Sequence, residues 1–347
     1  MSDKFRIRSK GTLSVLRSIN DVAVFVRVAA EYGINPKEIL AGSDIEMSEL
    51  DDPHRIITTA QEIIVGRKLA QILPVPGICL ELGHHLHLVS KGKLGMAAMC
   101  CETAGEAMKL LISYIDLVST YLQYDVTVEG KKGYVRLKEL TNLNDFSLFI
   151  FETEMVSLYT ICSMIMDDAY IFKEMRLAYP APDYAAKYEQ IFHCPVFFNA
   201  PEHLLLFDAV LIDKPLKHAN PLTKKVLEQE CRQLCQRLNE HATLKDKIRH
   251  ELMFADGDFP TLDQLAQRIN MPERTIRRKL TVEGTSYKDI LSEIRQQKAL
   301  ELIASGDLSM EKIAAKLGYS EVASFYHAFK TSTGTTPASY RQKTPKK

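Results

Sequence analysis

Arg274, Arg277 and Arg278 fall at i, i+3 and i+4, with Lys279 beside them. On a helix that spacing puts three guanidinium groups on one face, while Ile276 and Leu280 turn the other way, toward a core. A guanidinium matches guanine O6 and N7 through two parallel hydrogen bonds and also binds phosphate. The chemistry of this face is therefore nucleic-acid recognition. A merely solvated basic face is the bland alternative, but this many cations on the exposed side of one short helix favour nucleic acid. Thr275, in the first turn of the same helix, joins them as a candidate contact. Downstream, Val322, Ala323, Tyr326 and His327 read as the outward positions of a second such helix, with Lys330 at its far end. Apolar groups meet thymine methyls and an imidazole meets phosphate or a base edge, so this helix predicts a weaker, shape-tolerant contact. A purely structural role is its competing reading.

The elements that must position these residues are a repeat. Leu262, Leu265, Ala266, Ile269 and Met271 recur as Met310, Ile313, Ala314, Leu317 and Tyr319, each 48 positions later. A fixed internal period of this kind signals one structural unit used twice. The residues at the turns, Asn270 and Gly318, are the two types that best tolerate a left-handed backbone. Ala266 and Ala314 leave room for two helices to cross closely. The pattern predicts two helix-turn-helix motifs, Thr261 to Leu280 and Ser309 to Phe329, joined by one long helix.

The stretch Thr285 to Arg295 (TSYKDILSEIR), then Ala299, Ile313 to Tyr319 (IAAKLGY), Phe325, Phe329 and Gly334 to Arg341 (GTTPASYR) resembles the DNA-binding domain of the AraC/XylS family of bacterial transcription regulators. The resemblance implies that both second helices enter successive major-groove segments on one DNA face. One chain then reads two sites about one helical turn apart, a task that otherwise takes a dimer of single motifs. Two positions depart from the family pattern. Pro272 stands where a serine N-cap is usual, and His327 where an arginine is common.

Composition bounds the rest. The 347 residues suffice for two domains, and 46% hydrophobic content suffices for packed cores. Zero net charge argues against nucleic acid until the chain is divided. From Thr243 onward there are 18 Lys and Arg against 13 Asp and Glu, leaving 26 against 31 before it, so the positive charge sits with the repeat. No apolar run is read as approaching a membrane span, and Lys4, Arg6, Arg8 and Lys10 precede no apolar stretch, so a cytoplasmic protein without signal peptide is expected. Seven cysteines without a CxxC pair indicate neither a disulfide framework nor a zinc cluster. Cys100, Cys101, Cys231 and Cys235 read as small apolar residues rather than redox sensors. The run His84, His85, His87 has no helpful carboxylate or cysteine near it, so no metal and no cofactor are expected.

The first 220 residues read as a mixed α/β regulatory domain. Val22 to Tyr32 and Gly105 to Tyr114 are helical in period, Tyr124 to Gly130 and Gly133 to Lys138 form a strand-turn-strand, and Phe146 to Met166 is a long apolar helix. Tyr32 to Leu40, Gly77 to Gly83, Gly95 and Ile191 to Phe198 resemble the "arabinose-binding" type of regulatory domain from one branch of the same family. No GxSxG, Walker, HExxH or Rossmann motif is present, so no enzyme is expected. From Asn220 and Pro221 a helix carries Leu227, Cys231, Leu234 and Leu238 at 4, 3, 4 spacing, a short seam suited either to pairing with a second chain or to packing on its own domain. Ala255 to Pro260 then reads as a joint.

The expectation is thus a mixed α/β effector-binding and dimerisation domain (1–220), a linker helix and joint (221–260), and an all-α tandem helix-turn-helix domain (261–347). Its partners would be double-stranded promoter DNA, a small-molecule effector bound to the first domain, a second copy of the chain, and RNA polymerase if it activates; no membrane is involved. The alternatives are a DNA-binding regulator without a small ligand, controlled by a protein partner or its own abundance, and, more weakly, an alkyl-transfer DNA repair regulator.

Overall fold

Alternating side chains across Leu122 to Glu139 bury Leu122, Tyr124, Val126, Val135 and Leu137 on one face of a hairpin, as the two-residue period of a strand requires. That hairpin is the centre of the first of two compact units, Met1–His241 and Ala242–Lys347. The structure is a computed structural model. It describes residues 5–343 except 10–13, 53, 74, 119–120, 142, 144–145, 256 and 306–307, and omits the side chains of 239, 241, 301, 304, 305 and 343. Lys4, Lys10 and Asp256 lie outside the described residues.

The first unit runs through β1 (Arg6–Arg8), β2 (Leu16–Ser18), α1 (Asn20–Glu31), α2 (Pro36–Leu40), β3 (Ile56–Thr58), α3 (Thr59–Ile72), α4 (Ile78–His85), α5 (Gly92–Met99) and α6 (Ala104–Ser113). It continues with β4 (Leu122–Glu129), β5 (Lys132–Glu139), α7 (Ser147–Met166), β6 (Phe172–Arg176), α8 (Ala186–Phe192), β7 (Val196–Phe197), β8 (His203–Asp208) and α9 (Pro221–His241). Six strands form one sheet in the order β1-β4-β5-β8-β6-β7, antiparallel except where β6 meets β7. β2 and β3 pair separately. β4 and β5 pair over their full length, Glu129 opposite Lys132, around the turn Gly130–Lys131.

α7 corrects one expectation. Its 20 residues, with a mean hydropathy of 1.4, are long and apolar enough to cross a membrane, yet 61% of that stretch is buried inside the unit. The burial marks a core helix. Glu154 accepts hydrogen bonds on both oxygens, from the Tyr121 backbone N–H (2.7 Å) and Tyr124 (2.9 Å), whereas Glu152 accepts from Tyr184 (2.8 Å) and Tyr188 on Oε1 alone, leaving its buried Oε2 without a hydrogen bond among the described residues. α4 crosses α7 closely because residue 83 is glycine. A Cβ there would stand 2.5 Å from Val156 Cβ and 2.6 Å from the Thr153 carbonyl.

The seam of α9 faces its own unit, with Cys231 and Leu238 buried and α9 packed along α5. Two of its four positions are thus used in intrachain packing, while Leu227 and Leu234 are half-buried. Burial pushes the Cys101 thiol up to about 12 and the Cys231 thiol up to about 11, which suppresses the reactive thiolate. His87 Nδ1 accepts from the Val89 N–H at 3.2 Å, and His84 lies 3.2 Å from Thr160 Oγ1. Among the described residues no three His, Cys, Asp or Glu side chains are grouped as metal ligands.

The second unit is all helical: α10 (Leu244–Met253), α11 (Leu262–Arg268), α12 (Glu273–Val282), α13 (Tyr287–Ser305), α14 (Met310–Lys316), α15 (Val322–Thr333) and α16 (Pro337–Lys343). A capping box between Thr243 and Asp246 starts α10, which packs on α12 and α13. Residues 221–260 therefore divide between the units, α9 with the first and α10 with the second.

Candidate nucleic-acid interface

The two motifs repeat down to single hydrogen bonds. In the first, Ile269 N–H donates to the Leu265 carbonyl (3.0 Å), Asn270 to Gln267 (3.2 Å) and Met271 to Ala266 (2.9 Å). In the second, Leu317 donates to Ile313 (3.0 Å), Gly318 to Ala315 (2.9 Å) and Tyr319 to Ala314 (3.0 Å). Both turn residues have positive φ, 52° at Asn270 and 68° at Gly318, the left-handed conformation their residue types favour. Thr261 caps α11 and Ser309 caps α14 through their hydroxyls, at 3.2 and 3.3 Å.

These turns aim α12 and α15. On α12, Ile276 and Leu280 are buried, Arg274, Arg277, Arg278 and Lys279 are exposed, and Thr275 is half-buried. Pro272 occupies the N-cap without a side-chain cap, and the Thr275 N–H reaches its carbonyl at 2.9 Å. Arg277 is engaged already: its Nε donates to Glu273 at 2.9 Å. The i, i+4 spacing of that pair is the sequence signal for it.

α15 differs from its expectation in part. Ala323, His327 and Lys330 are exposed, as is Ser324, which the sequence reading passed over. Val322 and Tyr326, read as outward, are half-buried and pack on the cluster of Ala299, Ile303, Ile313, Ala314, Leu317, Phe325 and Phe329. The apolar stripe of α15 is wider than Phe325 and Phe329 alone, so its free face is narrow.

α13 joins the motifs. Ile290 and Ile294 are buried in its first half, and Ala299 and Ile303 enter the second motif's cluster. Between them Arg295 lies over the rings of Phe259 (5.1 Å) and Tyr319 (4.7 Å) and donates to the Gly318 carbonyl at 3.1 Å. One arginine thus ties the second turn to the segment that precedes the first motif. Burial raises the Tyr319 hydroxyl pKa above its ordinary value, with Arg295 opposing.

Comparisons with known proteins agree with this geometry. A family model described as "Arabinose-binding domain of AraC transcription regulator, N-term" matches residues 33–216, and a helix-turn-helix domain model matches 265–343. The ornithine utilization regulator of Pseudomonas aeruginosa is 27% identical over 315 residues, 91% of this chain and 93% of that protein. VqsM, a helix-turn-helix regulator of the same organism, is 27% identical over 76% of this chain and 82% of its own length. The crystal structure of the regulator CdpR from Pseudomonas aeruginosa, 22% identical, aligns with 93% of this chain and 98% of its own at a TM-score of 0.48. With a mixed α/β unit of the regulatory type followed by a tandem helix-turn-helix unit, the chain belongs to the AraC family of transcription regulators.

Proposed function

We propose that this DNA-binding regulator reads its target mainly through the first helix-turn-helix and is controlled by a small molecule held in the first unit. The exposed cationic face of α12 above buried Ile276 and Leu280 carries the first part. Arg274, Arg277 and Arg278 read guanines or clamp phosphates, with Thr275 and Lys279 at the flanks. Ala323, His327 and Lys330, with the edges of Val322 and Tyr326, make the second and weaker contact. Support for the effector comes from a cavity of about 120 Å³ between the sheet and helices α6 and α7, lined almost wholly by apolar side chains. Tyr159 of α7 is not part of this lining; it packs on Phe172 and Phe192 and donates to the Ala169 carbonyl. In this reading the effector shifts a population between two presentations of paired DNA-binding units in a homodimer, which meets RNA polymerase where it activates.

Footprinting of the full-length protein beside its own gene, with and without a soluble metabolite extract, tests both parts. A protected segment with two contacts about one helical turn apart is expected, altered in extent or occupancy by the extract. Uniform, sequence-independent protection overturns the reading of the DNA face.

A further inference from the structure

Beside the apolar cavity lies a second chamber of about 30 Å³, lined by Asp21, Glu62, Lys91, Tyr121, Thr153 and Glu154 among others, and the two share Lys91, Glu154 and Ser157. Two of its three carboxylates are paired with cations and the third is held by hydrogen bonds. Lys91 pairs with Asp21 at 3.3 Å, Glu62 with buried Arg17 at 2.6 Å, and both Glu154 oxygens accept hydrogen bonds. Ser157 donates to the Leu86 carbonyl. Among the described residues of its lining two polar atoms are left over: the hydroxyls of Tyr121, 2% exposed, and Thr153, 3% exposed, have no hydrogen-bond partner. A buried hydroxyl without a partner is costly, and two facing one chamber beside an apolar cavity indicate a missing group.

We propose that the first unit binds an amphipathic molecule whose hydrocarbon body fills the cavity between the sheet, α6 and α7. Its neutral hydroxyl or amide head hydrogen-bonds Tyr121 and Thr153. The proposal rests on the effector reading above and names the ligand class. Size supports it, since about 30 Å³ holds one small polar group or a water. Charge supports it as well. Lys91, the cation among the described lining residues, already has its carboxylate, so an anionic head would add a fourth carboxylate to Asp21, Glu62 and Glu154 without a counterion. A cationic head finds Asp21 and Glu62 already paired with cations and both oxygens of Glu154 already holding hydrogen bonds. A hydroxyl or amide both donates and accepts, as the two leftover hydroxyls do.

The test is calorimetric titration of the full-length protein with 1-octanol, octanoate and octylammonium, which share one chain length and differ in the head. One equivalent of octanol is expected to bind and to raise the melting temperature, with the two ions at least roughly tenfold weaker. Tyr121→Phe and Thr153→Val each remove one leftover hydroxyl and are expected to weaken octanol about fivefold while the ligand-free protein melts no lower. Leu158→Trp, at the wall of the larger cavity, abolishes binding. Octanoate bound as tightly as octanol overturns the neutral head. Octanol binding indifferent to all three substitutions overturns the site and leaves water as the occupant of the chamber. If no probe binds but a metabolite extract shifts the melting temperature, this ligand class falls and the effector reading stands. If neither does, both fall.

Discussion

The two helix-turn-helix motifs share a turn, a capping scheme and a 48-residue period, yet α12 and α15 carry opposite surfaces. α12 exposes Arg274, Arg277, Arg278 and Lys279 over two buried residues, whereas α15 keeps Val322 and Tyr326 half-buried and exposes one imidazole and one ammonium. The scaffold is conserved within the chain while the reading surface is not. Apolar positions answer to the core and are repeated; outward positions answer to whatever the helix meets and are free to diverge.

Removing the scaffold beneath the weaker surface gives the largest effect. Phe325, 1% exposed, anchors α15, and Phe325→Ala is expected to cost about 3–5 kcal/mol, seen as a drop in the chemical-denaturation midpoint of the second unit. Little loss would mean that α15 does not depend on this core. Next come the surfaces. Arg274→Ala or Arg277→Ala is expected to cost about 1–3 kcal/mol at the cognate site and to relax base preference, against less than about 1 kcal/mol for His327→Ala, by titration of target and scrambled DNA. Equal losses for α12 and α15 would erase the contrast.

Exchanging the turn residues probes the scaffold in the other direction. A Cβ at Gly318 would stand 2.6 Å from the Gly257 carbonyl, so Gly318→Asn is expected to destabilise by about 1–3 kcal/mol. Asn270→Gly, where glycine adopts the same φ freely, is expected to change stability by about 0.5 kcal/mol at most. A symmetric result in thermal unfolding would show that the two turns are equally roomy. The smallest effect concerns Glu273. Its ion pair with Arg277 is exposed, so Glu273→Gln is expected to strengthen DNA binding only about twofold at low salt, a gain that fades as salt screens it.

The second unit was legible because its signals are local. A period, two turn residues and an arginine triplet all lie within helical reach of one another. The β4–β5 hairpin and α7 were legible for the same reason. What escaped depends on partners far along the chain. Arg17 meets Glu62 across 45 positions, and the order β5-β8-β6 brings together strands whose pairing no alternation specifies. The hydrogen-bond donors to Glu152 and Glu154 on α7 come from Tyr184, Tyr188, Tyr121 and Tyr124, 30 to 36 positions away. Val322 and Tyr326 are half-buried where full exposure was expected, because helical spacing fixes an angle and leaves open how much of the circumference the neighbours cover. The second chamber was invisible for a related reason: a hydroxyl without a partner is a property of three dimensions alone.

α13 has a consequence for the DNA itself. Nineteen residues at 1.5 Å each make a rod of about 28 Å, with Arg295 fastening the second turn to the ring of Phe259 beside it. For a regulator that reads DNA as proposed, that rod is a ruler. Each base pair inserted between the two contacts would swing one of them by about a tenth of a turn around the duplex. The bases in the gap between the two contacts are therefore free to drift by substitution but not by insertion or deletion, and the length of that gap becomes a constant feature of sequence that the protein itself never touches.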